Sequence, residues 1–286
     1  TAARGVATYA YLNTTEYGGF GGASGDQSAA DVALESRFAA ALMRGEDGKP
    51  IPTWEGAMAM NPGPGYPFFA HLQEQTRRHL DRLPEIGGFA IDRLDWSSRV
   101  DYGHSDGLTM LGDRPVENMA VPVGEAVREV CRLAHAQGKR VWVNQFYRVE
   151  VLRDVDGTCH EYDYPRGLSY LSPYRPASAW HADRPYGGDL LEFEAQMKLR
   201  LQTALFPQMI AHSFPISQQP ADPEAADMLE VYAPLFGPLH QADRVLLPHC
   251  IEVTGTNGAD LYARPSGQYV VPLLSRTRFL SRPPYC

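Results

Sequence analysis

No apolar run in this 286-residue chain approaches the roughly 20 residues needed to cross a bilayer, and no basic, apolar, small-residue leader opens it. A soluble protein with no membrane partner is expected. The chain starts at Thr1 without a methionine, and its residues do not distinguish a secreted protein from a cytoplasmic one. Basic runs are lacking too. The 26 Lys and Arg stand against 34 Asp and Glu, a net charge of −8, and no helix face carries the cationic stripe that a phosphate backbone requires. Nucleic acid is not an expected partner. The four cysteines, Cys131, Cys159, Cys250 and Cys286, are too few and too scattered for a disulfide framework or a zinc site. Cys131 falls on the apolar stripe of a predicted helix and reads as core. A Gly-rich phosphate loop and a dinucleotide fingerprint are also missing, so no cofactor is expected. There are no internal repeats or low-complexity tracts, and nothing sets an oligomeric state.

What is present is enough apolar sequence, 44% of the chain, to bury a large core in one α/β barrel or two medium domains. Strand-like and helix-like segments alternate over short connections, the signature of a parallel sheet with crossover helices. Strands are expected over 5–13, 51–60, 87–92, 139–146, 156–164, 167–176 and 207–219. Helices are expected over about 28–43, 67–83, the stripe of Val127, Val130, Cys131 and Ala134, 148–154, 190–204 and 223–239. Seven strands are one short of a closed (β/α)8 barrel, which implies an N-terminal strand before Thr1 or one unrecognised. The expected fold is therefore a TIM-type barrel over 1–241. From 242 to 286 short alternating segments around a Pro-Ser-Gly turn read as a hairpin or the start of a C-terminal β-rich domain. The long connection between Trp96 and Met119 exceeds ordinary loop length and reads as a lid or subsite wall.

The decapeptide GGFAIDRLDW, residues 87–96, carries the chemistry. Its apolar run ends in two carboxylates, Asp92 and Asp95, and in parallel barrels the C-terminal strand ends converge on one rim. Other strand ends carry Asn13 and Glu16, Asn61, Asn144 and Gln145, and Glu161 and Asp163. Any one of these has an ordinary reading as a helix cap or an Arg partner. Their shared position is what points to a site. Two carboxyl groups in different environments are what glycosidic cleavage requires, one ionised and one protonated. Asp92 and Glu161 form the expected pair, with Asp95 an alternative nucleophile if the strand ends in a bulge. Trp54, Trp96 and Tyr170 are candidate sugar platforms. Glu16, Asn61, Arg93, His104, Asn144, Arg175 and His212 are candidate contacts to hydroxyls.

GGFAIDRLDW resembles the strand-four motif of the retaining α-galactosidase and α-glucosidase superfamily, clan D, and more loosely that of the α-amylase barrels, where G-F-x-x-D presents the Asp nucleophile. With one strand missing upstream, the resemblance implies Asp92 on strand four as nucleophile and Glu161 on strand six as acid/base. It also implies a C-terminal sandwich beginning after 242. It covers roughly residues 6–239. Clan D usually carries Asp where this chain has Glu161, and Asn144 stands where an α-amylase site has an acidic group.

The function implied is a glycoside hydrolase acting on an oligo- or polysaccharide by a two-carboxylate, retaining mechanism. Two other readings share the residues. One is a carbohydrate-binding barrel or structural subunit without activity, since fold does not guarantee chemistry. The other is a metal-dependent hydrolase using His104-x-Asp106, His160–Glu161 and His212, although no H-x-H or H-E-x-x-H supplies paired ligands.

Overall fold

Gly87 and Gly88 allow three strands to lie close together. A Cβ at Gly88, whose φ is +154°, would stand 1.6 Å from the Arg140 carbonyl oxygen, and one at Gly87 would crowd Ala7 and the Thr8 carbonyl. The strands they admit are β1 (Tyr9–Asn13), β4 (Gly88–Asp92) and β9 (Arg140–Asn144), parallel and side by side in that order. The structure, a computed structural model, describes residues 7–18, 37–53, 56–144, 148–160, 175–181, 190–209, 223–239, 242–247, 250–251 and 260–273. The chain divides into two units, Thr1–Thr158 and Cys159–Cys286.

Alternation along the first three strands sorts their side chains. Leu12, Phe89, Ile91, Val141 and Val143 are buried on one face. Tyr9, Tyr11, Asn13, Ala90, Asp92, Trp142 and Asn144 take the other. Two helices are buried along one side, α1 (Pro67–Arg82) through Phe68, Leu72, Thr76 and Leu80, and α2 (Ala120–His135) through Val123, Ala126, Val127, Val130, Cys131 and Ala134, with Phe68, Leu72 and Ala126 sharing a cluster with Phe38, Leu42 and Met60. Proline at the first turn starts α1, and Gly138 at φ +68° stops the chain after α2. Cys131 is buried with its thiol pushed well above its ordinary range, first by loss of solvent and then by Asp154 and Asp156.

The segment 51–60 departs from expectation. It does not join the parallel sheet. It folds back on itself through a Pro52–Met58 bridge, and β3 (Met58–Ala59) pairs antiparallel with β2 (Glu16–Tyr17). Pro50, Pro52 and Gly56 at φ +79° explain this, because prolines cannot donate to a central ladder and Gly56 turns the chain. Strand β4 is thus the direct neighbour of β1, and counting 51–60 as a barrel strand between them is corrected. The expected helix over 28–43 reaches the described residues only as a 3-10 turn at Ala39–Ala41, after which Leu42 bridges Met60. The long connection after Trp96 is two small ladders, β5 (Val100–Asp101) with β8 (Glu117–Asn118), and β6 (Met110–Leu111) with β7 (Arg114–Pro115). Asp106 ties the tip, accepting from Leu108 N, Thr109 N, the Thr109 hydroxyl and Asn118 N. The Thr109 hydroxyl, with those backbone N–H groups, holds its carboxyl far below the usual range. After β9 comes a 3-10 turn, Val149–Arg153, and then β10 (Gly157–His160).

In the second unit, β11 (Ala177–His181) and β12 (Leu205–Met209) are parallel, with α3 (Leu190–Thr203) between them in sequence. The expected strand 167–176 lies almost wholly outside the described residues, and β11 follows it. Then come α4 (Pro223–Tyr232), a 3-10 turn over Ala233–Leu239, and an antiparallel set of β13 (Asp243–Arg244), β14 (Tyr262–Ala263) and β15 (Tyr269–Val270). Tyr262 shares one apolar cluster with Phe193, Met197, Leu201, Met228, Tyr232, Phe236 and Leu239, so the late strands pack on the helices before them.

Candidate active site

Asp92 closes β4, and three donors from three parts of the sheet converge on it. The Asn144 amide donates to Oδ1 at 2.7 Å and the Arg93 backbone N–H donates to the same oxygen at 2.8 Å. The Tyr11 hydroxyl donates to Oδ2 at 2.8 Å. All three interactions demand an acceptor, so they suit the ionised carboxylate and hold its plane. Tyr11 is half exposed, at 50%. Its phenol is held above its ordinary range, first by burial of part of the ring and then by the Asp92 charge. Below Asp92 on the same face, Tyr9 meets Trp142 edge to face at 6.5 Å, and Gly157 leaves room for the Trp142 ring.

Arg93 makes this geometry possible. It adopts φ +63°, ψ +37°, a left-handed conformation that costs an Arg about 1–2 kcal/mol. The turn aims its N–H back at Asp92 and sends its side chain the other way. The guanidinium meets Glu16 at 2.8 Å and grips both oxygens of Asp95, at 3.0 and 3.2 Å. Glu16 also receives the Trp96 indole N–H at 3.0 Å and the Asn13 amide at 2.8 Å. Thus Asp95 and Glu16 are anchors of the turn, while Asp92 is the carboxylate presented at the strand end. Trp96, 8% exposed, packs within this network.

A second polar cluster lies in the same unit. Asp101, wholly buried, accepts from Arg44 N, from Gly103 N and from His104 Nδ1 at 2.5 Å. The other His104 nitrogen points at the Ala40 carbonyl at 3.0 Å. Both partners offer acceptors, an arrangement that the protonated ring satisfies with both nitrogens donating. The hydrogen bond to Asp101, reinforced by its charge, raises the His104 pKa against the opposing effect of burial. Burial likewise opposes the Asp101 charge, but the bonds from His104, Arg44 and Gly103 outweigh it and hold that carboxyl low. Nearby, Glu117 Oε2 accepts from Asn61 at 2.7 Å and from the Tyr66 hydroxyl at 2.8 Å. Ligand-type atoms of Asp101, His104 and Glu117 lie within 4.8 Å of one another, a spacing a metal could use. The hydrogen bonds give those of Asp101 and His104 a different task, a charged clamp joining the Asp101–His104 turn to the 3-10 turn at Ala39–Ala41.

That clamp has a pH signature. The stabilisation from His104 is complete below its unfolded pKa of about 6.5 and is lost as pH rises through the higher folded value. Asp101 adds stability above about pH 4 that is lost as pH falls through its lower folded value. Unfolding free energy measured in urea is expected to plateau between these limits and decline on the alkaline side. His104→Asn should flatten that decline; an unchanged slope in the variant assigns it elsewhere.

Eight of the expected site residues, Glu16, Asn61, Asp92, Arg93, Asp95, Trp96, His104 and Asn144, fall in the first unit. There they form two groups: Asp92 with Arg93 and Asn144, backed by Glu16, Asp95 and Trp96, and separately His104 with Asn61 through Tyr66 and Glu117. Arg175 is half-buried in the second unit. Trp54, Glu161, Tyr170 and His212 lie outside the described residues. Tyr11, Tyr66, Asp101 and Glu117 were not among the expected residues. The one available signal for Tyr11 was parity, since it shares a strand face with Asn13.

No family model and no curated protein matches the chain. Solved structures do resemble it. The ligand-free α-N-acetylgalactosaminidase NagBb from Bifidobacterium bifidum is 13% identical, with a TM-score of 0.51 over 94% of this chain and 41% of that one. The glycoside hydrolase domain of a PelA variant from Pseudomonas aeruginosa is 16% identical, with a TM-score of 0.46 over 73% of this chain and 79% of that one. Ega3 of Aspergillus fumigatus, in complex with galactosamine, is 11% identical, with a TM-score of 0.46 over 73% of this chain and 76% of that one. At such identities the likeness, carried by NagBb, is one of fold, an α/β architecture with a parallel sheet. The chain spans about two fifths of NagBb's length.

Proposed function

We propose that the chain is a retaining glycosidase built on a (β/α)8-type barrel, with Asp92 as nucleophile and Glu161 as acid/base. The observation that carries this reading is the environment of Asp92. A carboxylate at a parallel strand end is oriented by three neutral donors, while the guanidinium of the adjoining Arg93 is turned to Glu16 and Asp95. Such a group is held in one orientation with both oxygens at the strand end, which is what attack on an anomeric carbon needs.

In the first step Asp92 Oδ2 bonds to the anomeric carbon as the glycosidic C–O bond breaks, and Glu161 gives its proton to the departing oxygen. In the second, water loses a proton to Glu161 and bonds to the same carbon, and Asp92 leaves as a carboxylate. Fold likeness to glycoside hydrolases supports the reaction class. The clan D resemblance of GGFAIDRLDW supports Asp92 as nucleophile by its motif alone, because with 51–60 outside the parallel sheet β4 directly follows β1 and the strand-four count no longer contributes. The test is a panel of chromogenic α- and β-glycosides that includes N-acetylgalactosaminides, because NagBb is named for that activity. The first product anomer is read by NMR. Hydrolysis with retention is expected; an inverted product rules out the double displacement, and no hydrolysis across the panel rules out the glycosidase.

A further inference from the structure

We infer that Tyr11 is a catalytic residue that acts chiefly in the second half of the reaction, releasing the sugar from Asp92. This rests on Asp92 being the nucleophile. The two oxygens of Asp92 are not equivalent: Oδ1 accepts from the Asn144 amide and the Arg93 N–H, whereas the Tyr11 hydroxyl donates to Oδ2. The oxygen with two donors from the strand rim is the less nucleophilic and the less free to move. Oδ2 is therefore the oxygen that bonds to carbon, and Tyr11, half exposed beside it, touches the reacting atom.

The consequence differs between the two steps. Before attack Oδ2 is anionic and a strong acceptor. As the C–O bond forms, it loses charge and the Tyr11 hydrogen bond weakens, so Tyr11 stabilises the starting carboxylate more than the ester. In the second step the charge returns to Oδ2 while the C–Oδ2 bond breaks, and the same hydrogen bond strengthens in the transition state. A donor aimed at a departing carboxylate lowers that barrier in the manner of an oxyanion donor. The proton stays on Tyr11 throughout, and Glu161 still accepts the proton from water. The surroundings agree with this assignment: Asn13 and Glu16 lie at the same strand end, and the only guanidinium described there, that of Arg93, faces Glu16 and Asp95.

Tyr11→Phe, assayed on 2,4-dinitrophenyl glycosides of galactose and N-acetylgalactosamine, is expected to lower kcat about 10- to 100-fold. KM should fall in step, so that kcat/KM holds within about threefold, and a burst of about one equivalent of dinitrophenolate should appear. An unchanged kcat, or equal losses in kcat and kcat/KM without a burst, overturns the assignment while leaving Asp92 as nucleophile. Turnover retained in Asp92→Asn overturns both readings. A measurement free of substrate tests the contact itself. With 13Cζ-labelled tyrosine, the Tyr11 resonance is expected to titrate at distinctly lower pH in Asp92→Asn than in the parent. Identical titrations show that the hydroxyl does not serve Asp92, and the inference falls. Matching thermal midpoints establish that the variants fold.

Discussion

Asp92→Asn is expected to reduce hydrolysis by about three to five orders of magnitude while leaving the thermal midpoint and sugar binding close to the parent. The amide preserves shape and can still meet Tyr11 and Asn144, but it cannot bond to an anomeric carbon as an anion. Asp95→Asn is the informative companion. Asp95 is held by both nitrogens of the Arg93 fork and acts on Asp92 only by steadying the turn, so its loss should cost far less rate and more stability. Rates on the best glycoside of the panel, with binding followed by isothermal calorimetry, decide between them. If Asp95→Asn proves the more damaging to turnover, the nucleophile is reassigned.

The second large effect concerns folding. Gly88→Ala is expected to prevent accumulation of folded protein or to cost more than about 4 kcal/mol, because the new Cβ would sit 1.6 Å from a backbone oxygen of the neighbouring strand. No side-chain rotation relieves a backbone clash; β4 and β9 would have to separate. Gly124→Ala serves as the control. It lies inside α2 with nothing within 4 Å of the added carbon, and should be neutral or more stable by about 0.5–1 kcal/mol. Soluble yield and urea midpoints report both outcomes; a Gly88→Ala protein with a parental midpoint would mean that β4 and β9 do not pair as described.

Several elements were legible because local chemistry and burial agree there. Pro67, the spacing of Leu72, Thr76 and Leu80, and Pro84 bracket α1 to within a residue of its observed end. The stripe from Val127 to Ala134 located α2 but not its bounds, since the helix begins at Ala120 and ends at His135, before the Gly138 turn. The apolar run ending at Asp92 located β4 and its terminal carboxylate. What alternation cannot reveal is the partner of a strand. Residues 51–60 carry strand-like texture, yet Pro52 and Gly56 fold them into a local antiparallel ladder. Polar residues posed the complementary problem. Glu16 and Asn61 read as groups awaiting a ligand, but Arg93 and Trp96 occupy the first and Glu117 the second. Their partners lie some 56 to 80 positions away, beyond any local pattern. Tyr11 was hidden for the opposite reason, since an aromatic in an apolar strand resembles core until its hydroxyl is seen against Asp92.

The three groups that orient Asp92 belong to β1, to the turn after β4, and to β9, so no single strand can hold the carboxylate in its working attitude. The reactive group thereby behaves as a strain gauge soldered across three adjacent beams. A twist too small to melt a helix or expose a core side chain still tilts it, and competence for chemistry becomes the most sensitive index of whether these strands are seated.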